Sequence, residues 1–161
     1  MIRSVNTGEN KGLSISVSTP PNNEPVTQSE AKLWIRADDF NTDNTLIDSL
    51  IESARRTIEK FTARALVTRT YVAHWREHGK VVWLPYSPIQ SVSEVKWISD
   101  SGTETTVTNY ELEGQDDKYL IFEDWGDNRL EVTYVAGYGN QSQVPEDYKT
   151  AVKNLVAYYY D

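Results

Sequence analysis

Apolar residues change their spacing twice along this chain, and the changes divide it into helix, strand and helix again. Between Leu46 and Phe61 they recur every three or four positions. Leu46, Ile47, Leu50, Ile51, Ala54, Ile58 and Phe61 share one helical face, and Asp48, Glu52, Arg56 and Glu59 take the other. This predicts a core-packing helix of about five turns over 43–62, with Asp43 as its cap. Upstream, Thr27-Gln28-Ser29-Glu30 has the capping-box pattern and leads into Ala31, Leu33, Trp34 and Ile35. A short helix over 27–37 follows, broken by Asp38-Asp39-Phe40-Asn41-Thr42-Asp43.

After Phe61 the period falls to two. Thr68 to Trp75 alternates, Val81-Val82-Trp83-Leu84 is a short apolar run, and Val92 to Ile98 alternates up to the turn Ser99-Asp100-Ser101-Gly102. Thr103 to Val107, Tyr110 to Leu112, Tyr119 to Phe122 and Leu130 to Val135 complete a set of short strands over about 67–136. Helical spacing returns at Pro145, which suits a first helical position, with Glu146 and Asp147 complementing the helix N-terminus. On this helix, 145–160, Tyr148, Val152, Leu155 and Tyr159 form a packing stripe. Tyr158 and Tyr160 lie off it, which makes them candidate interface anchors. The predicted class is α+β: a small helical core of two N-terminal helices and one C-terminal helix, with an antiparallel β insertion between the second and last helices.

The first 25 residues are rich in Ser, Asn, Thr, Gly and Pro. They read as a flexible arm ahead of one domain over 26–161. Within the arm Leu13, Ile15 and Val17 alternate before Pro20-Pro21, as a strand added to another surface does, and they join the candidate interface residues.

Composition narrows the function. The 161 residues carry 16 basic and 24 acidic side chains, a formal charge of -8, which argues against an electrostatic grip on nucleic acid. Without a cysteine, disulfides, thiolate metal sites and cysteine nucleophiles are excluded. No apolar run approaches the ~20 residues of a membrane span, and the start has no signal-peptide core, so no membrane partner is expected.

Motifs with chemical potential read as structure. His74-Trp75-Arg76-Glu77-His78 matches the H-x-x-E-H pattern of inverted zinc peptidases, but its flanks read as a hairpin with exposed histidines. In a strand, residues four apart stand ~13 Å from each other, too far for one metal. Asp38, Asp39, Asn41 and Asp43 lack the glycine and glutamate of a calcium loop and read as a capping turn. Gly137-Tyr138-Gly139 lacks the third glycine of a dinucleotide loop, and no Gly-x-Ser-x-Gly elbow is present. No catalytic, cofactor-binding or metal residue is assigned. Trp75, Trp83, Trp97 and Trp125 read as β-core packing, with a binding platform as the alternative.

Three segments, taken in order, resemble the head-to-tail connector proteins of tailed phages, the adaptors assembled beneath the portal. The first is Pro25-Val26-Thr27 with the acidic break and the long helix through Phe61-Thr62-Ala63-Arg64-Ala65-Leu66. The second is Leu84-Pro85-Tyr86-Ser87-Pro88-Ile89-Gln90-Ser91-Val92 leading into Val95. The third is Val132 to Gly139 followed by Val144-Pro145-Glu146-Asp147 and Ala151.

The resemblance implies a structural role without catalysis or cofactor. It implies a homo-oligomeric ring, commonly twelve-fold, docked on the portal protein, with a stopper or tail component below. DNA passes through such a ring without sequence-specific binding. The expected location is the virion neck, reached from the host cytoplasm during assembly, and the C-terminal end, with Tyr158 and Tyr160, is expected to engage the portal. The alternatives are a stopper or tail-completion protein of the same neck, or an aromatic-rich β-type binding module.

Overall fold

The computed structural model describes residues 12–37, 43–124 and 129–161. The expected break at 38–42 and the platform candidate Trp125 lie outside them. Along the chain run β1 (Ser14–Thr19), α1 (Gln28–Ile35), α2 (Asn44–Thr62), β2 (Arg69–Trp75), β3 (Val81–Trp83), β4 (Ile89–Ile98), β5 (Glu104–Thr106), β6 (Tyr110–Glu113), β7 (Tyr119–Phe122), β8 (Arg129–Ala136) and α3 (Glu146–Tyr160). This is the α+β class and element order read from the sequence, with β1 as an additional strand. The chain forms two compact units: a β unit of residues up to Pro20 plus Arg69–Ala136, and a helical unit of Pro21–Thr68 plus Gly137–Asp161.

In the β unit an antiparallel five-stranded sheet has the order β1-β2-β8-β4-β5, beside a three-stranded sheet β3-β7-β6. Alternation sets which face is buried. Tyr71, Ala73 and Trp75 of β2 stand opposite Tyr134, Val132 and Leu130 of β8, and all six are buried. Val82, Leu120 and Phe122 give the smaller sheet its buried face. Tyr71 stacks on both Tyr86 and Tyr134, and the Tyr134 hydroxyl donates to the Pro85 carbonyl at 2.9 Å. Burial, reinforced by those two neighbouring phenols, pushes the Tyr134 hydroxyl well above its ordinary pKa.

The expectation of a free arm is corrected for Ser14–Thr19. These residues form β1 on the subunit's own sheet, with Ser14 opposite His74, Ile15 opposite Ala73 and Val17 opposite Tyr71. The partner strand is distant in sequence, so local reading could not identify it.

The helical unit packs Val26, Ala31, Ile47, Ile51, Ala54, Leu66, Val67, Val144, Val152 and Val156 into one core. The predicted capping box is complete: the Thr27 hydroxyl accepts from the Glu30 N–H, and the Thr27 N–H donates to the Glu30 carboxylate at 2.7 Å. Chain return after β8 depends on Gly137, at φ 124°. A Cβ there would stand 2.5 Å from the Val67 carbonyl oxygen and 2.7 Å from the Thr68 nitrogen, so no other residue fits.

Four sequence expectations are corrected in this unit. Glu59, placed on the polar face of α2, is buried beside buried Arg55. The Arg55 guanidinium is bidentate to Glu24, at 2.6 and 3.0 Å, and reaches Glu59 at 3.0 Å. The other Glu59 oxygen accepts the Leu66 N–H at 2.8 Å. Phe61, placed in the core stripe, is 83 % exposed, because α2 ends at Thr62 and nothing of the unit's core covers its last turn on that side. Asp43 makes no side-chain cap; its carboxylate accepts from the Tyr160 hydroxyl at 2.8 Å. Tyr160 therefore packs against the core, while Tyr159 is exposed with its hydroxyl 3.2 Å from that of Thr57.

Two predictions follow from these contacts. Arg55→Ala leaves Glu59 buried without its cation and should cost ~3–5 kcal/mol. Glu59→Gln keeps an acceptor for Leu66 and should cost only about 1–2 kcal/mol; urea unfolding of both variants measures the difference. Glu30 is partly desolvated, which raises its pKa, but hydrogen bonds from Thr27, with Lys149 and Lys153 nearby, outweigh this and hold it below the ordinary carboxylate value. A lowered folded-state pKa adds stability that is full above the unfolded value and lost as pH falls through the folded one. Thr27→Ala should accordingly cost about 1 kcal/mol at neutral pH, shrinking in acid, as read from urea midpoints across pH.

Candidate functional site

The chemically suggestive motifs are occupied by packing and local pairing. His74, on β2, faces Glu131 of β8 at 3.4 Å. His78, expected at the surface, is buried: its ring stacks on Trp97 and its Nδ1 lies 3.0 Å from the Gly79 carbonyl oxygen. The two imidazoles thus serve different neighbours. Among the described residues no three His, Asp or Glu side chains converge as a metal site. The tryptophans divide. Trp75 is fully buried, Trp97 is half-buried against His78 and Phe122, and Trp83 is 48 % exposed.

What remains at the surface is apolar and aromatic area without cover from the subunit. On the three-stranded sheet, the register Trp83–Tyr119–Glu113 and Val81–Ile121–Glu111 puts these six residues on one face, opposite the buried one. The Trp83 and Tyr119 rings meet at 4.5 Å, and the Tyr119 hydroxyl donates to Glu113 at 2.7 Å. On the helical unit, Phe61 stands beside exposed Lys60 on the last turn of α2, one turn beyond exposed Arg56, which pairs with Glu52 at 2.8 Å. Tyr158, near the end of α3, is 78 % exposed. Trp34 is tied down, donating to Asn154 at 3.2 Å under the Lys153 ammonium.

The predicted interface residues separate. Tyr158 is exposed, as its place off the packing stripe predicts. Tyr160 is instead bound into the subunit through Asp43 and the core, and Tyr159, drawn in the packing stripe, is the more exposed of the two. Residues on α3 that touch the core recur at 148, 152, 155, 156 and 160, a stripe rotated slightly from the one drawn through Tyr159. Leu13, Ile15 and Val17 lie in one row on the core-facing side of the sheet, since their β2 partners Ala73 and Tyr71 are buried; yet Leu13 and Val17 are 42 % and 44 % exposed and Ile15 is half-buried. Sequence reading missed Phe61 and Trp83 as surface features, since both sit where the pattern assigns core.

These are aromatic and apolar surfaces that the subunit leaves exposed among the described residues. No curated protein matches the chain in sequence. Among solved structures, the fold matches a chain in the neck of an empty GTA particle computed with C6 symmetry, with TM-score 0.77, 24 % identity, and coverage of 91 % of this chain and 83 % of that chain. A chain in the virion of a native gene transfer agent particle matches with TM-score 0.76 at 25 % identity, over the same shares of each chain. A chain in the neck of a native GTA particle computed with C12 symmetry gives TM-score 0.66 at 22 % identity, over 91 % and 82 %. The family model of the head completion protein matches residues 25–161, which takes in both helices of the N-terminal half, the strands from β2 to β8 and the C-terminal helix. The chain belongs to the head completion protein family.

Proposed function

We propose that this protein is a neck adaptor: its copies form a closed ring that docks on the portal and joins the DNA-filled head to the stopper or tail, without catalysis. The observation that carries this reading is the match over nine-tenths of the chain to neck chains of particles computed with sixfold and twelvefold symmetry. The surface chemistry supports it. Exposed aromatic side chains on otherwise well-packed units are the usual anchors of protein interfaces, and repetition around a ring makes individually weak contacts sufficient. A formal charge of -8 suits a ring that lets DNA pass without holding it.

Tyr158 is the portal-facing anchor in this reading, and the uncovered row Leu13, Ile15 and Val17 is covered by a neighbouring chain. Electron microscopy of the purified protein mixed with the portal of its own phage tests the whole proposal: end-on rings seated on portals are expected, and binding only to a component below the ring would make the protein a stopper instead.

Tyr158→Ser should weaken portal attachment by ~1 kcal/mol or more with the melting temperature nearly unchanged, whereas Tyr160→Phe should lower stability by about 1 kcal/mol with attachment retained. Pull-down on immobilised portal beside thermal melting reads both. Amide exchange between Leu13 and Val17 should slow on ring formation; equal protection in monomer and ring would show that this row stays uncovered.

A further inference from the structure

A closed ring is built from heterologous contacts, in which each copy presents two different surfaces and one fits the other on the next copy. Resting on the ring reading above, the question becomes which two surfaces of this chain are complementary. The outward face of the three-stranded sheet combines the Trp83–Tyr119 ring pair with the carboxylates of Glu111 and Glu113. The last turn of α2 combines Phe61, the most exposed large apolar side chain among the described residues, with exposed Lys60. Glu59 is buried and bound to Arg55, and Arg56 is paired with Glu52 at 2.8 Å, so the positive charge of this surface rests on Lys60. Both faces thus carry an aromatic centre, and their charges are opposite.

We propose that these two faces meet between neighbouring copies: the Phe61 surface of one subunit packs on the Trp83–Tyr119 surface of the next, with Lys60 set against Glu111 and Glu113. Aromatic packing supplies the buried centre and the charges fix orientation and exclude like-with-like pairing. The occupant of each face is a second copy of this chain.

Charge exchange tests this directly. One variant carries Lys60→Glu, the other Glu111→Lys and Glu113→Lys. Alone, the first has two acidic faces and the second two basic ones, and neither should form rings, with folding verified by circular dichroism and melting. Mixed in equal amounts, each variant offers what the other lacks, and rings of alternating subunits should return, seen by electron microscopy and mass photometry under the conditions in which the unaltered protein assembles. A second arm needs no charge change. The chain has no cysteine, so Lys60→Cys combined with Glu113→Cys in one chain should give a ladder of disulfide-linked oligomers on oxidation of assembled protein.

If each charge variant assembles alone, or the mixture fails while the unaltered protein forms rings, and no ladder appears, the paired faces are wrong and the ring reading stands. If the unaltered protein forms no ring, free or on portal, the adaptor reading itself fails and takes this pairing with it.

Discussion

The helical unit depends on one buried cation. Arg55 sits on the inward side of α2 among aliphatic side chains, where an unpaired guanidinium would carry a desolvation cost of several kcal/mol. It is held by Glu24, just before α1, and by Glu59, one turn further along its own helix. Glu59 then accepts the N–H of Leu66, in the segment that leaves α2. One charge therefore fixes where the chain enters the unit, how α2 is rotated about its axis and how the chain exits toward β2. Competition between burial, which pulls the guanidinium pKa down, and two carboxylates, which push it up, is won by the carboxylates. The guanidinium therefore keeps its charge in its buried position.

This cluster also shows what sequence reading resolves and what it misses. Periodicity assigns a side chain to the inside or outside by polarity, and it works where the whole of one face is covered. β2 is the clear case, its residues alternating buried and half-buried from Arg69 to Trp75. The Thr27 capping box was equally legible, because every partner lies within one turn. Arg55 and Glu59 defeat the method because each satisfies the other in a place where a single charge would be excluded. Phe61 defeats it from the other direction, since its angular position on α2 is apolar but the helix ends before anything covers it. Tyr160 needed knowledge of Asp43, more than a hundred residues away, and β1 needed β2.

The same two exceptions explain why this protein looks inert by the usual criteria for a site and yet is not featureless. Its strongly interacting polar groups, Arg55 with Glu24 and Glu59, Tyr134 with Pro85, Tyr160 with Asp43, all serve the subunit's own folding. What is left exposed among the described residues is apolar, aliphatic at Leu33 and Leu46 and aromatic at Phe61, Trp83 and Tyr158. A catalytic site shows the opposite distribution, with polar groups converging on space left for a substrate and apolar groups lining it. On the adaptor reading the subunit has to be rigid and adhesive; internal ion pairs would serve the first demand, and Phe61, Trp83 and Tyr158, which face outward, the second.

β1 adds a constraint that acts on the assembly rather than on the subunit. It is the edge strand of its sheet, and from Gly12 to Pro20 it carries no charged side chain, whereas exposed edges are ordinarily blunted by charge or by inward-turned polar residues. Its apolar row lies on the core-facing side and is left partly bare. The family match begins at Pro25, so this edge lies ahead of the matched elements. On the ring reading the reason is one of symmetry. In a closed heterologous ring every copy has an identical neighbour, so whatever covers the edge of one copy covers the edge of all, and none is left open once the ring closes. Blunting such an edge with charge would protect the free subunit at the expense of the contact, so an uncharged edge is the expected sequence for a strand that spends its working life covered.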